Sequence, residues 1–197
     1  MRGTDTGHRI ELLGDSFRDV AGKRVQVSDR RYRVTTPSGM QIEETWNVVR
    51  TNQITVGSTV MGIGDDSREK FMVYIFKPHP AVMGWQLEFP GGAKENGESI
   101  EMSAGREFEA ETGFRAGKLH IIMEGMHFAP YRFEQSEYVM EATDLTIGRR
   151  KPDFEERPIE VHLIPVALLP DLLKYGVIKD FRTYAVTADY LLRKQCI

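Results

Sequence analysis

A single cysteine, Cys196, stands next to last among 197 residues. One thiol forms no internal disulfide and no cysteine-based metal cluster, and the expectation is a cytoplasmic protein. Long apolar runs are also missing. Stretches such as "FMVYIF" (71–76) fall far short of the roughly 20 residues that a membrane-spanning helix needs. The opening "MRGTDTGHRIELLGD" has no apolar core of the signal-peptide kind. An excess of one charge is lacking as well. The formal net charge is -3, with Lys and Arg scattered along the chain, so neither nucleic acid nor a membrane surface is expected as a partner. The remaining composition, 41% hydrophobic and 28% charged, is that of a globular protein. The length suits one sizeable domain, or one with a smaller attachment.

The first fifty residues read as strands. "RYRVTT" (31–36) alternates Tyr32 and Val34 with arginines, and "GMQIEETWNVVR" (39–50) places Met40, Ile42, Trp46 and Val48 on one side. Strands so short and so polar on one face need another surface to cover them. From about residue 53, "ITVGSTVMGI" and "KFMVYIF" flank the turn "GDDSRE", and "WQLEF" adds a short extended piece. Between Ser99 and Thr112 the period becomes helical, with Ile100, Ala104 and Phe108 four apart. Three further strands are expected at 118–124, 136–145 and 159–166. Two helices follow, "ALLPDLLKYG" and "TYAVTADYLLRK", the first beginning or kinking at Pro170. Strands with a few helices packed on them predict an α/β or α+β sandwich.

The segment "PGGAKENGESIEMSAGREFEAETGF" (90–114) carries the chemistry. Glu107 and Glu111 are four apart and share a helix face. Two like charges so close destabilise a bare helix, and a divalent cation reverses the sign of that interaction. Oxygen-only ligands without His or Cys point to Mg²⁺ or Mn²⁺. Arg106 is placed to hold a carboxylate by bidentate bonds. The Gly91–Gly92 turn lets backbone carbonyls approach a metal, and Glu98 stands at the mouth of the helix as an outer ligand or water-positioning base. A solvated acidic surface helix is the competing reading. The fixed offsets of the glycine turn, Glu98, Arg106 and Gly113 disfavour it.

Those offsets resemble the signature of the Nudix hydrolases, G-x5-E-x7-R-E-U-x-E-E-x-G-U, with U a bulky apolar residue. Gly92, Glu98, Arg106, Glu107, Phe108, Glu111, Gly113 and Phe114 fall on the pattern. The one departure is Ala110, in place of the first acid of the E-E pair. Glu109 is no substitute, because at about 100° per residue it points roughly 200° away from Glu107. The resemblance implies Glu107 and Glu111 as metal ligands, with two ions per site, and a Nudix α/β/α sandwich with a mixed sheet. A small antiparallel β region precedes it, giving domains of 1–52 and 53–197.

The flanks resemble the ADP-ribose and nucleoside-diphosphate-sugar pyrophosphatases of that family. In "FKPHPAVMGWQLEFPGG" (76–92), Lys77 and Glu88 fall on substrate-contacting positions, and the Ala93 carbonyl is implied as a metal ligand. The run "G-x-I-x-D-x-x-T" from Gly176 to Thr183 also follows the subgroup. "ETWNVVR" (44–50) resembles the strand exchanged in the subgroup's homodimers, with Trp46 stacking on the base and Arg50 on phosphate or ribose. The other reading of Trp46 is a core tryptophan, and of Arg50 a surface charge. In the loop 127–140 the catalytic base is implied to be Glu134, with Gln135 beside it and Glu137 and Glu98 as alternatives. The expectation is a Mg²⁺-dependent hydrolase of a nucleoside diphosphate sugar, first ADP-ribose, giving AMP and ribose 5-phosphate. GDP-mannose or UDP-sugar pyrophosphatases are the alternatives in that class. A catalytically weak ADP-ribose-binding domain is the rival outside it.

Overall fold

The structure, a computed structural model, describes residues 9–19, 25–51, 56–66, 69–127, 129–130, 133–152 and 159–195. Cys196 lies outside them, as does the side chain of Arg50. The chain forms two units, one drawn from residues 1–55 and 127–135, the other from 56–126 and 136–197.

The first unit is an antiparallel sheet of β1 (Arg9–Asp19), β2 (Val25–Thr35) and β3 (Gln41–Thr51), with β2 in the middle. The period of two lays out its cross-strand rows. Ile10, Val34 and Ile42 form one row, and Glu11, Arg33 and Glu43 the next. In the charged row Arg33 reaches Glu11 at 3.1 Å and Glu43 at 2.7 Å, which fixes register more than it adds stability. The segment after residue 127 joins this sheet: Phe133 bridges to Val49, and the Glu134 amide donates to the Val49 carbonyl at 3.2 Å. Burial departs from the expectation for β3. Val48 is buried, but Met40, Ile42 and Trp46 are 57%, 41% and 44% exposed. A three-stranded sheet has one layer, so its apolar residues find no second layer within the unit.

The second unit is built on a mixed sheet in the order β12-β5-β4-β10-β9, with β6 on β5 and β7 on β4. Its strands are β4 (Val56–Asp65), β5 (Lys70–His79), β6 (Gly84–Glu88), β7 (Gly91–Ala93), β9 (Lys118–His127), β10 (Ser136–Thr143) and β12 (Glu160–Pro165). A separate ribbon pairs β8 (Phe114–Arg115) with β11 (Thr146–Ile147). β4 and β10 run parallel, whereas β5 is antiparallel to β4, β6 and β12. Helix α1 (Ile100–Thr112) covers one face, packing Ala104 and Phe108 on Val60, Val73, Met140 and Ala142. The other face carries α2 (Leu169–Lys174) and α3 (Phe181–Gln195), with Leu169, Val186 and Tyr190 clustered on Met61, Met72, Tyr74 and Val139. Successive residues of β4, β5 and β10 therefore serve opposite layers. That is why β4 and β5 read as near-continuous apolar runs and not as alternating ones. The architecture is the expected α/β/α sandwich on a mixed sheet. α2 has Pro170 in its first turn, where the missing N–H costs nothing.

Candidate active site

The site grows from the chain between β6 and α1, whose polar groups are tied to three elements, α3, β4 and α1. The Phe89 amide donates to the Thr183 hydroxyl of α3 at 3.0 Å. The Val60 amide of β4 donates to the Pro90 carbonyl at 2.8 Å. The Gly91 amide donates to Glu111 Oε2 at 2.9 Å, and the Ala93 carbonyl accepts the Ser103 hydroxyl at 3.2 Å. In β7, Ala93, Gly92 and Gly91 pair with Gly57, Ser58 and Thr59 of β4. A Cβ on Gly92 would lie 2.7 Å from the Glu107 Cδ and 2.8 Å from its Oε1. Only a residue without a side chain lets the Glu107 carboxylate lie against this backbone.

Helix α1 begins at Ser99, whose hydroxyl accepts the Met102 amide at 3.2 Å, and ends at Gly113 in the left-handed region (φ 79°). Between these caps it presents its acids to different surroundings. Arg106 grips Glu98 with Nε at 2.8 Å and Nη2 at 3.1 Å, and reaches Glu107 Oε1 with Nη1 at 2.7 Å. The bidentate contact expected of Arg106 is thus made to Glu98, with a single bond to Glu107. The hydrogen bond from Arg106 holds the Glu98 carboxyl below its usual range. Glu98 in turn holds the Arg106 guanidinium more firmly protonated. Glu109 points elsewhere, as its angle requires, and pairs with Arg115 at 2.9 Å.

Glu111 is fully buried. Its Oε2 takes the Gly91 amide, and its Oε1 lies 3.0 Å from Lys77 Nζ on β5. The same ammonium is 3.2 Å from Glu88 Oε1, another buried carboxylate. His79 Nε2 sits 3.0 Å from Glu88 Oε2 without hydrogen-bond alignment. Four predicted residues and one carbonyl are thus carried by neighbouring elements: Lys77 by β5, Glu88 by β6, the Ala93 carbonyl by β7, and Glu107 and Glu111 by α1. Among the described residues no three His, Cys, Asp or Glu side chains already converge on a point. The candidate donors, the Glu107 and Glu111 carboxylates and the Ala93 carbonyl, are all oxygen, and Gly92 lets the Glu107 carboxylate lie against the turn, a donor chemistry that suits a hard divalent ion.

Other predicted residues belong to the first unit. Glu134 is ion-paired to Arg30 at 2.9 Å, with its side chain 32% exposed. Trp46 donates its indole N–H to Glu44 at 2.6 Å. Glu137 lies in the second unit, buried on β10 opposite Gly57, with Oε1 3.6 Å from Arg182 Nη1.

Sequence reasoning overlooked Arg182, His79 and the link made by Asp180 and Thr183. Asp180 Oδ1 accepts the Thr183 amide at 2.8 Å and the Thr183 hydroxyl at 2.7 Å, while that hydroxyl accepts Phe89 N–H. Burial acts to lower the Arg182 pKa, but the charges of Asp180, Glu137 and Glu88 raise it. An Asp just before a helical period is a capping signal. It places the start of α3 at Phe181, two residues before the Thr183 suggested by hydropathy alone.

Comparison with known proteins fits this geometry. A curated relative named CMP-5'-(N-acetyl-N-hydroxy-3-aminopropyl)phosphonate hydrolase, from Streptomyces rubellomurinus (strain ATCC 31215), is 26% identical over 160 residues, covering 79% of this chain and 73% of its own. A solved structure described as "Crystal structure of ADP compounds hydrolase" superposes with a TM-score of 0.69 at 20% identity. The match covers 95% of this chain and 96% of that one, and it shows a shared fold. The NUDIX domain model matches residues 58–185, a span holding the glycine turn, α1, Lys77, Glu88 and the Asp180–Thr183 link, and the chain belongs to the Nudix hydrolase family.

Proposed function

We propose that the protein hydrolyses the pyrophosphate bond of a nucleoside diphosphate sugar with Mg²⁺, or Mn²⁺ in its place. ADP-ribose is the leading substrate, giving AMP and ribose 5-phosphate. The observation that carries this reading is the cradle at Gly92, where Glu107, Glu111 and the Ala93 carbonyl are held by one turn and one helix. These three would hold the metal, with two ions per site as the proposed number. Divalent ions bound there would neutralise anhydride charge and acidify a water.

The chain's own residues supply the rest. Arg106 fixes Glu98 and Glu107. Glu98, with both oxygens on Arg106 and its pKa lowered, is a weak proton acceptor and serves as an orienting group. Glu134 is the proposed base: Arg30 takes one of its oxygens, and a third of its side chain is exposed. Lys77, Glu88 and Arg50 are assigned to substrate. Trp46, nearly half exposed, is assigned to stacking on the base, which commonly contributes about 1–3 kcal/mol. The exposed Ile10, Leu12, Ile42 and Trp46 support a homodimer formed through the N-terminal sheet, testable by sedimentation. The single cysteine supports the cytoplasm as location.

The test is a panel of ADP-ribose, GDP-mannose, UDP-sugars and CMP-linked phosphonates with Mg²⁺ and product identification. The CMP compounds belong there because of the curated relative's name. AMP from ADP-ribose is the expected outcome. Tight binding without turnover would make this a binding domain, and preferred cleavage of another member reassigns the base.

A further inference from the structure

Glu111 has no solvent exposure, so an ion approaching it from water must take a position that a neighbour now holds. The Gly91 amide and the Lys77 ammonium are both bonded to its oxygens. The Gly91 amide is fixed in backbone, because the adjoining Pro90 carbonyl is bonded to Val60 and β7 is paired with β4. The Lys77 ammonium is different: it sits at the tip of a flexible four-carbon stem, 16% exposed, and spans Glu111 and Glu88 at 3.0 and 3.2 Å. An ammonium and a divalent ion repel at such distances, and the stronger charge wins the carboxylate. We propose that Lys77 is the resident counter-cation of Glu111, displaced when a divalent ion binds, and thereby released toward the anionic substrate. This rests on the reading of Glu111 as a metal ligand. Metal loading and substrate affinity would then be coupled through one side chain: without metal, Lys77 is the counter-charge beside two buried carboxylates, and with metal it becomes a phosphate contact.

Removal of Lys77 changes metal affinity with a sign that depends on its role. If Lys77 only propped Glu111 in place, its removal would weaken metal binding. If it competes with the ion, removal strengthens it. Mn²⁺ binding to the full chain, followed by electron paramagnetic resonance without nucleotide, decides between them. K77M is expected to bind Mn²⁺ at least about tenfold more tightly than wild type, while its KM for the anhydride substrate rises. K77R, whose fork holds a carboxylate more firmly, is expected to bind Mn²⁺ more weakly. K118M, which removes an exposed lysine paired with Asp144 at 2.8 Å, controls for net charge and is expected to stay near wild type. Equal or weaker binding by K77M overturns the proposal. Wild type that binds no Mn²⁺ refutes the metal reading itself, a distinct outcome. Should K77M fail to fold, wild type still answers: acetylation of Lys77, read by mass spectrometry, is expected to quicken when Mg²⁺ is added, and an unchanged or slower rate overturns the displacement.

Discussion

Thr183→Val isolates a link between the last helix and the turn that carries the site. Thr183 is 1% exposed, and its hydroxyl both donates to Asp180 at 2.7 Å and accepts the Phe89 amide at 3.0 Å. Valine keeps the shape and removes both bonds. The buried Phe89 N–H is then unpaired, at a cost of about 1–3 kcal/mol, and a hydrogen bond to a charged group worth about 1.5–3 kcal/mol is lost. Asp180 keeps the Thr183 amide at 2.8 Å, and the wholly apolar side chain recovers part of the loss. The net expectation is about 2–4 kcal/mol of destabilisation, or a Tm lower by roughly 5–15 °C for a domain of this size. The catalytic effect should exceed what the loss of folded protein explains. Phe89 directly precedes Pro90 and Gly91, and a slip of about 1 Å in such a segment is worth up to about a hundredfold in rate. Thr183→Ser retains the hydroxyl and is the control. The assays are thermal and denaturant unfolding, with kcat and KM measured well below Tm. If valine and serine variants match in Tm and kcat, the hydroxyl link does not position the turn.

Glu111→Gln is expected to lower kcat by about two orders of magnitude or more while circular dichroism stays native, and near-normal kcat would remove the assigned metal role. Gly92→Ala puts a methyl group 2.7 Å from the Glu107 Cδ. Weaker Mn²⁺ binding with a nearly unchanged melting curve is expected, and unchanged binding would show that Glu107 is not a ligand. Glu98 has its pKa lowered in the fold by Arg106, so its contribution to stability is present above its unfolded value of about 4.3 and fades as pH falls through the lower folded value. Glu98→Gln should therefore flatten the acid limb of a stability–pH curve, and an unaltered limb would refute that linkage. Ala110→Glu restores the missing acid. It should strengthen Mn²⁺ binding and lower the melting temperature in chelator, and the opposite pair of shifts would count against the charge argument below.

The sheet core and α1 were legible because their signals are local and redundant. The apolar runs of β4 and β5 follow from burial on both faces, and α1 is marked by Ser99, the Ile100–Ala104–Phe108 stripe and Gly113. β7 was not legible, since Gly91–Ala93 has no hydropathy pattern and is a strand only through its pairing with β4. β1 fell within the first fifty residues read as strands but had no bounds of its own: Ile10 and Leu12 alternate, and a register shift at Leu12/Gly14 breaks the period. In the site, Glu107 and Glu111 were found by spacing on one helix. The Lys77–Glu88–Glu111 cluster joins residues up to 34 positions apart, which periodicity cannot connect, so only the family resemblance reached Lys77 and Glu88. Asp180 and Thr183 lay in a run noticed for that resemblance, while their bond to Phe89, 94 positions away, is a tertiary fact.

The same contacts explain why the helix tolerates Ala110. Burying carboxylates is unfavourable unless a counter-charge accompanies them. Glu107 and Glu98 have Arg106, and Glu111 and Glu88 have Lys77, so each acid of the cluster has a cation beside it before any ion arrives. A third helix acid at position 110 would stand one turn from Arg106, the cation placed by helical spacing to meet it. Arg106 already gives two bonds to Glu98 and one to Glu107. A glutamate there would need to break one of them or wait for metal. Alanine at 110 removes that demand, and Arg106 keeps its bonds to Glu98 and Glu107 in the absence of an ion. What the chain loses is one oxygen ligand for the ion. What it would retain is a cation beside each acid before an ion binds, with Lys77 as the group proposed to move when one does.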